Sequence, residues 1–141
     1  MRIFVDANIL ISVLNKEYPL FTYTSRIISL ANEEGTEVFT SPVCLAIAFY
    51  FAEKKAGSRN AKSKIKLLCD HLSIAEITTG SVKKAIQNPA VIDFEDGLEY
   101  YAAAENKCHC IITEDINDFH FSEIEVLNSQ EFFKRHMISN E

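Results

Sequence analysis

An α/β fold on a mostly parallel sheet is what this 141-residue chain predicts, and three observations carry that prediction. Ile3, Phe4 and Val5 form a continuous apolar run, as a strand covered on both faces should. Further short apolar runs alternate with amphipathic helical segments, which implies βαβ crossovers. The first run also ends on a carboxylate, Asp6, with an amphipathic segment starting at once. Open α/β sheets bind ligands at such strand-to-helix turns.

The elements follow in order. A strand over residues 2–6 leads into helices near 9–16 and 20–34, and Gly35 stops the second as a C-cap glycine does. Residues 37–40 read as the second strand. Ser41-Pro42 is an N-cap followed by proline at the first helical position. The helix it opens runs to about residue 56, with Val43, Ala46, Ile47 and Tyr50 on one stripe. Gly57-Ser58 breaks the chain before a basic amphipathic helix to about 71. Residues 73–77 are a weak strand and 79–88 a helix, and Asn88-Pro89 marks a turn. Asp93 caps a helix to about 106. Residues 110–113 are the third good strand and 124–127 a short fourth. Ser129 caps a last helix over 130–136.

The totals describe one soluble domain, residues 1–141, with 48% hydrophobic residues and a mean hydropathy near zero. No apolar run approaches the ~20 residues that cross a bilayer. Asp6, Asn8, Lys16 and Glu17 interrupt any signal-peptide pattern, so no membrane association and a cytoplasmic location are expected. Cys44, Cys69, Cys108 and Cys110 suggest reduced thiols rather than a disulfide framework. Cys108-His109-Cys110 has the look of a metal pair, but no second Cys/His pair lies nearby, and buried apolar thiols are the preferred reading.

Net charge is −6 and the pI about 5.2, which taken alone argues against nucleic-acid binding. The average hides an asymmetry. Lys54, Lys55, Arg59, Lys62, Lys64 and Lys66 are six of the 14 cations and lie in one stretch. Such a segment beside an acidic site suits a polyanion approaching a metal-charged centre. In isolation a solvated helix face is the favoured reading.

Three acidic clusters sit at element ends: Asp6-Ala-Asn8, Asp93-Phe-Glu95-Asp96, and Thr113-Glu-Asp115-Ile-Asn-Asp118. In a parallel sheet the first and third share one edge. Carboxylates crowded there repel one another and raise their own pKa values. A divalent cation relieves that cost, and hard oxygen donors select Mg²⁺ or Mn²⁺. The chemistry implied is metal-assisted phosphodiester hydrolysis. Each cluster has a plainer reading. Asp93 and Asp96 fit the first turn of a helix, where acids cap and complement the dipole, and Asp115 and Asp118 fit a loop. Asp6, a carboxylate directly after a buried strand, needs partners.

At this point the chain resembles a PIN domain, the ribonuclease family that includes the VapC-like toxins of toxin–antitoxin modules. Asp6-Ala-Asn8 matches the family's opening strand-D-x-N motif. Phe94-Glu-Asp96-Gly-Leu98, with Ala102 to Ala104, matches its helix-borne acid and the small residues after it. Ile112-Thr113-Glu-Asp115 and Asp118-Phe119 match its closing T-x-D-x-x-D-F motif, and Ser41-Pro42 precedes the central helix as expected. The resemblance implies a three-layer α/β/α sandwich around a mostly parallel sheet of four or five strands. It implies an endoribonuclease, the toxin of a toxin–antitoxin pair, that cuts RNA through a metal-activated water. Asp6, Asp96 and Asp115 would hold Mg²⁺ or Mn²⁺; Asn8 and Thr113 would position ligands, substrate or water; Asp118 would serve the metal site.

One departure stands out. The family's glutamate early in the helix after the second strand has no counterpart in Val43-Cys-Leu-Ala46-Ile47-Ala48. Glu53 lies ~10 Å further along the helix axis, too far to replace it directly, and Glu95 is a candidate helper. The departure keeps a second reading open, a weakened PIN-like module that binds RNA or a protein partner without cleaving. Lys54, Lys55, Arg59 and Lys62 are candidate RNA contacts. Leu10, Val13, Leu14, Tyr18, Leu20, Phe21 and Tyr23 read mainly as core; any that form a surface patch would be covered by a small antitoxin or a second copy in a homodimer. Nothing supports a phosphate loop, a serine elbow or a zinc site built on the four histidines.

Overall fold

The computed structural model describes residues 1–138. Its centre is a sheet of five strands, β1 (Arg2–Val5), β2 (Glu37–Thr40), β3 (Ser73–Ile74), β4 (Cys110–Ile112) and β5 (Glu125–Leu127), in the order β3-β2-β1-β4-β5. Every pairing is parallel. Central β1 takes register from both sides, Ile3 opposite Val38 and Cys110. Ile3, Phe4 and Val5 have no exposed surface, which is why that run does not alternate. Burying each such side chain contributes about 1.5–3 kcal/mol.

Helices α1 (Ala7–Leu14), α2 (Phe21–Ser29), α3 (Pro42–Ala56) and α4 (Ser58–His71) belong to crossovers that step from β1 through β2 to β3. Helices α5 (Thr79–Gln87) and α6 (Phe94–Glu105) carry the chain back across the sheet to β4. Right-handed crossovers in opposite directions put the two groups on opposite faces, giving the three-layer sandwich. The direction reverses between β1 and β4, so the topological switch point lies at their carboxyl ends. A short helix α7 (Ser129–Phe132) follows β5 and continues as a π-helical turn over Phe133–Ile138.

The differences from the sequence expectation lie at element ends. Helix α1 starts at Ala7 because the Asp6 side chain caps it, accepting from the Ala7 N–H at 2.6 Å. The second helix ends early in a 3₁₀ turn, Leu30–Asn32. Strand β3 is two residues long because only Ser73 and Ile74 pair with β2. The cap of α7 is Asn128, not Ser129: Asn128 and Glu131 form a reciprocal capping box. Ser129 instead donates from its N–H and its hydroxyl to Glu114, tying the loop after β4 to α7.

Helix α6 is held close to α5 by Gly97. A Cβ there would stand 2.7 Å from Val91 Cγ1 and 3.0 Å from Ala85 Cβ. Gly97→Val is therefore expected to lower stability by about 2 kcal/mol or more through overpacking, read as a drop in the urea midpoint. Adding Val91→Ala should recover part of the loss. An unchanged midpoint in Gly97→Val would show that α6 is free to shift outward.

The thiols of Cys108 and Cys110 are buried and each is pushed up to about 12, mainly by burial, so both remain neutral. All four cysteines are free. Among the early apolar residues, Leu10 and Leu14 belong to the core, Val13, Leu20, Phe21 and Tyr23 are half-buried, and Tyr18 is exposed. No helix among the described residues is long and apolar enough to cross a membrane.

Candidate metal centre

The switch point holds the acids. Asp6 leaves β1 with its backbone N–H donating to Ile112 O at 3.0 Å, so the ladder continues one step beyond the strand. Its side chain is only 7% exposed. One carboxylate oxygen caps α1; the other accepts from the Thr113 hydroxyl at 2.7 Å. Asn8, one residue into α1, reaches across to the end of β4. Its amide donates to Thr113 Oγ1 at 3.1 Å and to Asp115 Oδ2 at 3.2 Å, and its carbonyl accepts from Glu114 N–H. The Asp115 N–H donates back to Thr113 Oγ1 at 3.0 Å. Asn8 and Thr113 thus lock the two strand-end aspartates into one frame.

Helix α6 enters from the opposite face. Asp93 caps it, accepting from the Glu95 N–H at 2.9 Å. Its first turn presents Asp96, and its second carries Glu99. Asp6, Asp93, Glu95, Asp96, Glu99, Asp115 and Asp118 line one cavity of about 340 Å³, with Ala7, Asn8, Ile11, Ile47 and Phe51 completing the wall. Among the described residues, no lysine, arginine or histidine lines it. The three aspartates singled out from the sequence, with Asn8, Glu95 and Asp118, therefore share one cavity, and Thr113 braces it from behind.

The residue that sequence reasoning missed is Glu99. It is 2% exposed, and its carboxylate accepts from the Cys44 thiol near the start of α3. Ser41 Oγ accepts from the Cys44 N–H at 3.2 Å. Asp6, Cys44 and Glu99 each place a donor atom within 4.8 Å of the others. The signal was present: Glu99 lies three residues after Asp96, on the same helical face. Ile47 of α3 stands in the cavity wall, and Glu53 does not line it.

The electrostatics follow from this packing. Asp96 is raised to about 7, first by burial and then by repulsion from Asp93, Asp6 and Asp118. Glu99 is held well above the usual carboxylate range by burial, by repulsion from Asp6 and by its hydrogen bond with that residue. Cys44 is raised by burial and by the charges of Glu99 and Asp6, so it stays a neutral thiol and a donor. Asp118, at the exposed mouth, is raised as well, by partial desolvation and the neighbouring aspartates. Concentrated carboxylate oxygens with no resident cationic side chain are a donor set that fits a hard divalent cation.

The basic segment lies elsewhere. None of Lys54, Lys55, Arg59 and Lys62 lines the cavity. Lys55 donates to the Asn15 carbonyl at 2.6 Å, and Lys64 donates to the Leu14 carbonyl at 3.1 Å. These two cations complement the C-terminus of α1. Arg59 and Lys62 are exposed on α4. Lys54 sits over the Tyr50 ring, 4.4 Å from its centroid.

Comparison with known proteins bears on this arrangement. The PIN domain family model matches residues 2–117. Ribonuclease VapC1 of Aquifex aeolicus (strain VF5) is 27% identical over 138 residues, covering 95% of this chain and 94% of that protein. Among solved structures, VapBC2 from Rickettsia felis, bound to a DNA fragment from its promoter, superposes with a TM-score of 0.68 at 18% identity over 91% of this chain and 98% of that one. Mycobacterium tuberculosis VapC20, a toxin that cleaves the sarcin–ricin loop, gives 0.61 at 16% identity over 77% and 86%. FitAB bound to an IR36 DNA fragment gives 0.62 at 17% identity over 90% and 94%. At these identities the solved structures establish a shared fold.

Proposed function

The chain belongs to the PIN-domain family, and from that premise we propose that it is a divalent-metal-dependent endoribonuclease, the toxin of a toxin–antitoxin pair. The observation that carries the reading is the cavity itself, in which seven carboxylates meet at the sheet's switch point with no basic side chain among them. The similarity to ribonuclease VapC1 along nearly the full length of both chains supports RNA as substrate.

A bound Mg²⁺ or Mn²⁺ supplies a Lewis acid for a phosphoryl oxygen and a water of lowered pKa. Asp6, Asp96 and Asp115 are the residues that would hold it. Asp6 is pre-aimed, since the Ala7 N–H and the Thr113 hydroxyl fix both of its oxygens. Asn8 holds one oxygen of Asp115, Oδ2. Glu99 stands behind Asp6, oriented by the Cys44 thiol, and supplies an inner carboxylate although α3 brings only Ile47 to the wall. That contribution offsets the missing α3 glutamate. Asp93, Glu95 and Asp118 line the cavity alongside, where uncompensated charge repels a phosphate. Substrate binding is thereby made conditional on the cation.

The decisive experiment is cleavage of single-stranded RNA by pure protein with Mn²⁺, Mg²⁺ or EDTA, alongside Asp96→Asn. Cleavage that needs metal and falls at least about a hundredfold in the variant supports the reading. Equal cleavage by both proteins, or cleavage that persists in EDTA, would remove it. A small antitoxin is the expected partner, in keeping with the complex formed by the Rickettsia felis VapBC2 proteins. A homodimer and a cytoplasmic location complete the proposal.

A further inference from the structure

The ribonuclease reading leaves unexplained why α3 shows solvent one aromatic ring in the cavity wall and a second beside it. Cys44, Ala48 and Ala52 are fully buried and turn one face of this helix to the core. Ile47, Tyr50, Phe51 and Lys54 fall on another face at i, i+3, i+4 and i+7. Ile47 and Phe51 are in the cavity wall. Phe51 is 44% exposed and Tyr50 is 51% exposed. Their rings meet edge to face, centroids 5.3 Å apart at 85°. The Lys54 ammonium closes the far end of the strip, over the Tyr50 ring. The strip therefore runs outward from the acids through an apolar residue and two aromatic rings to a cation.

A partner that covers both rings gains their buried apolar area and their stacking faces. One occupant matches the order of groups. In a single-stranded nucleic acid, a base lies beside each phosphate and offers an apolar π-face. With one phosphate at the acidic cavity, the adjacent base would lie toward Phe51 and the next phosphate toward the Lys54 ammonium. A duplex does not fit, because its bases are already stacked on one another. We propose that Tyr50 and Phe51 form a base-stacking ledge, ended by Lys54, that holds an unpaired nucleotide next to the scissile phosphate. The ledge rests on the ribonuclease reading and adds the residues that would seat one unpaired base of the RNA beside the cavity.

The chain contains no tryptophan, so Phe51→Trp creates a single optical reporter on the ledge. Titration with a short single-stranded RNA, with Ca²⁺ in place of Mn²⁺, should quench that fluorescence saturably. The same strand with abasic sites should bind about tenfold more weakly, in line with the stacking of one base. In steady-state cleavage, Phe51→Leu keeps the bulk and loses the ring; its KM should rise by about the same factor with kcat little changed. Thermal melts of both variants verify folding. Equal quenching by base-bearing and abasic strands, or a wild-type KM in Phe51→Leu, would overturn the ledge. The two readings fail separately. Metal-dependent cleavage by wild type with an insensitive Phe51→Leu removes the ledge alone. Base-dependent quenching without any cleavage by wild type keeps the ledge and removes the nuclease.

Discussion

Asp6→Asn is expected to lower metal-dependent RNA cleavage by about a thousandfold, equivalent to ~4 kcal/mol of transition-state stabilisation. The size follows from where the residue sits. Asp6 is buried, shares its two oxygens between the α1 cap and Thr113, and faces Glu99 and Asp96 across the cavity. Asparagine retains an oxygen for the Ala7 N–H and is as good an N-cap as aspartate, so the fold should hold. It removes a charge that raises both Glu99 and Asp96. The variant should therefore melt at or above the wild-type temperature in EDTA while losing activity. Asp6→Ala serves as a contrast, losing the cap as well, at a cost of about 1 kcal/mol. Activity of Asp6→Asn within tenfold of wild type would show that the switch-point carboxylate is structural.

Much of this site was legible in the sequence because its parts sit where local rules are strong. A buried apolar run ending in Asp6 fixes a strand end. Asp93 and Asp96 announce a helix start, and Thr113 with Asp115 follows a second buried run. Parallel pairing then brings all three together without any knowledge of distances. Glu99 was harder to see. In sequence it is a mid-helix glutamate, a residue type that belongs on solvated faces. What makes it an inner group is the packing of α6 against the start of α3, where Cys44 and Ser41 leave room and a donor. That is a property of two helices 55 residues apart in the chain. The same holds for the cations. Lys55 and Lys64 read as a charge run, yet their ammonium groups end on the carbonyls closing α1. Element ends moved by a residue or two for comparable reasons. Asn128 takes the cap of α7 because Ser129 is drawn to Glu114.

Metal binding is expected to be tied to protons and to stability. In the metal-free protein Asp96 is raised to about 7 from an unfolded value near 3.8. The folded state thus holds a proton that the unfolded state has released between those values. The contribution of Asp96 to metal-free stability is then most favourable below about pH 4, declines as pH rises through the window to about 7, and is least favourable above it. Asp96 is partly exposed, and after allowance for solvent screening the decline attributable to it is about 1–2 kcal/mol. The melting temperature in EDTA should accordingly be lower at pH 8 than at pH 5, and Asp96→Asn should flatten the difference. A divalent cation competes with the same proton. Calorimetry at pH 6 in buffers of different ionisation enthalpy should register close to one proton released from Asp96 per Mn²⁺, and far less at pH 8.5. At a hundredfold excess over its dissociation constant, Mn²⁺ adds about 2.7 kcal/mol to the stability of the native state, a rise of roughly 10 °C for a domain of this length. The gain should be larger at pH 8 than at pH 5, the inverse of the metal-free profile. A melting temperature in EDTA that rises with pH, or Mn²⁺ binding with no proton release at pH 6, would mean that the carboxylates are not crowded as the cavity implies.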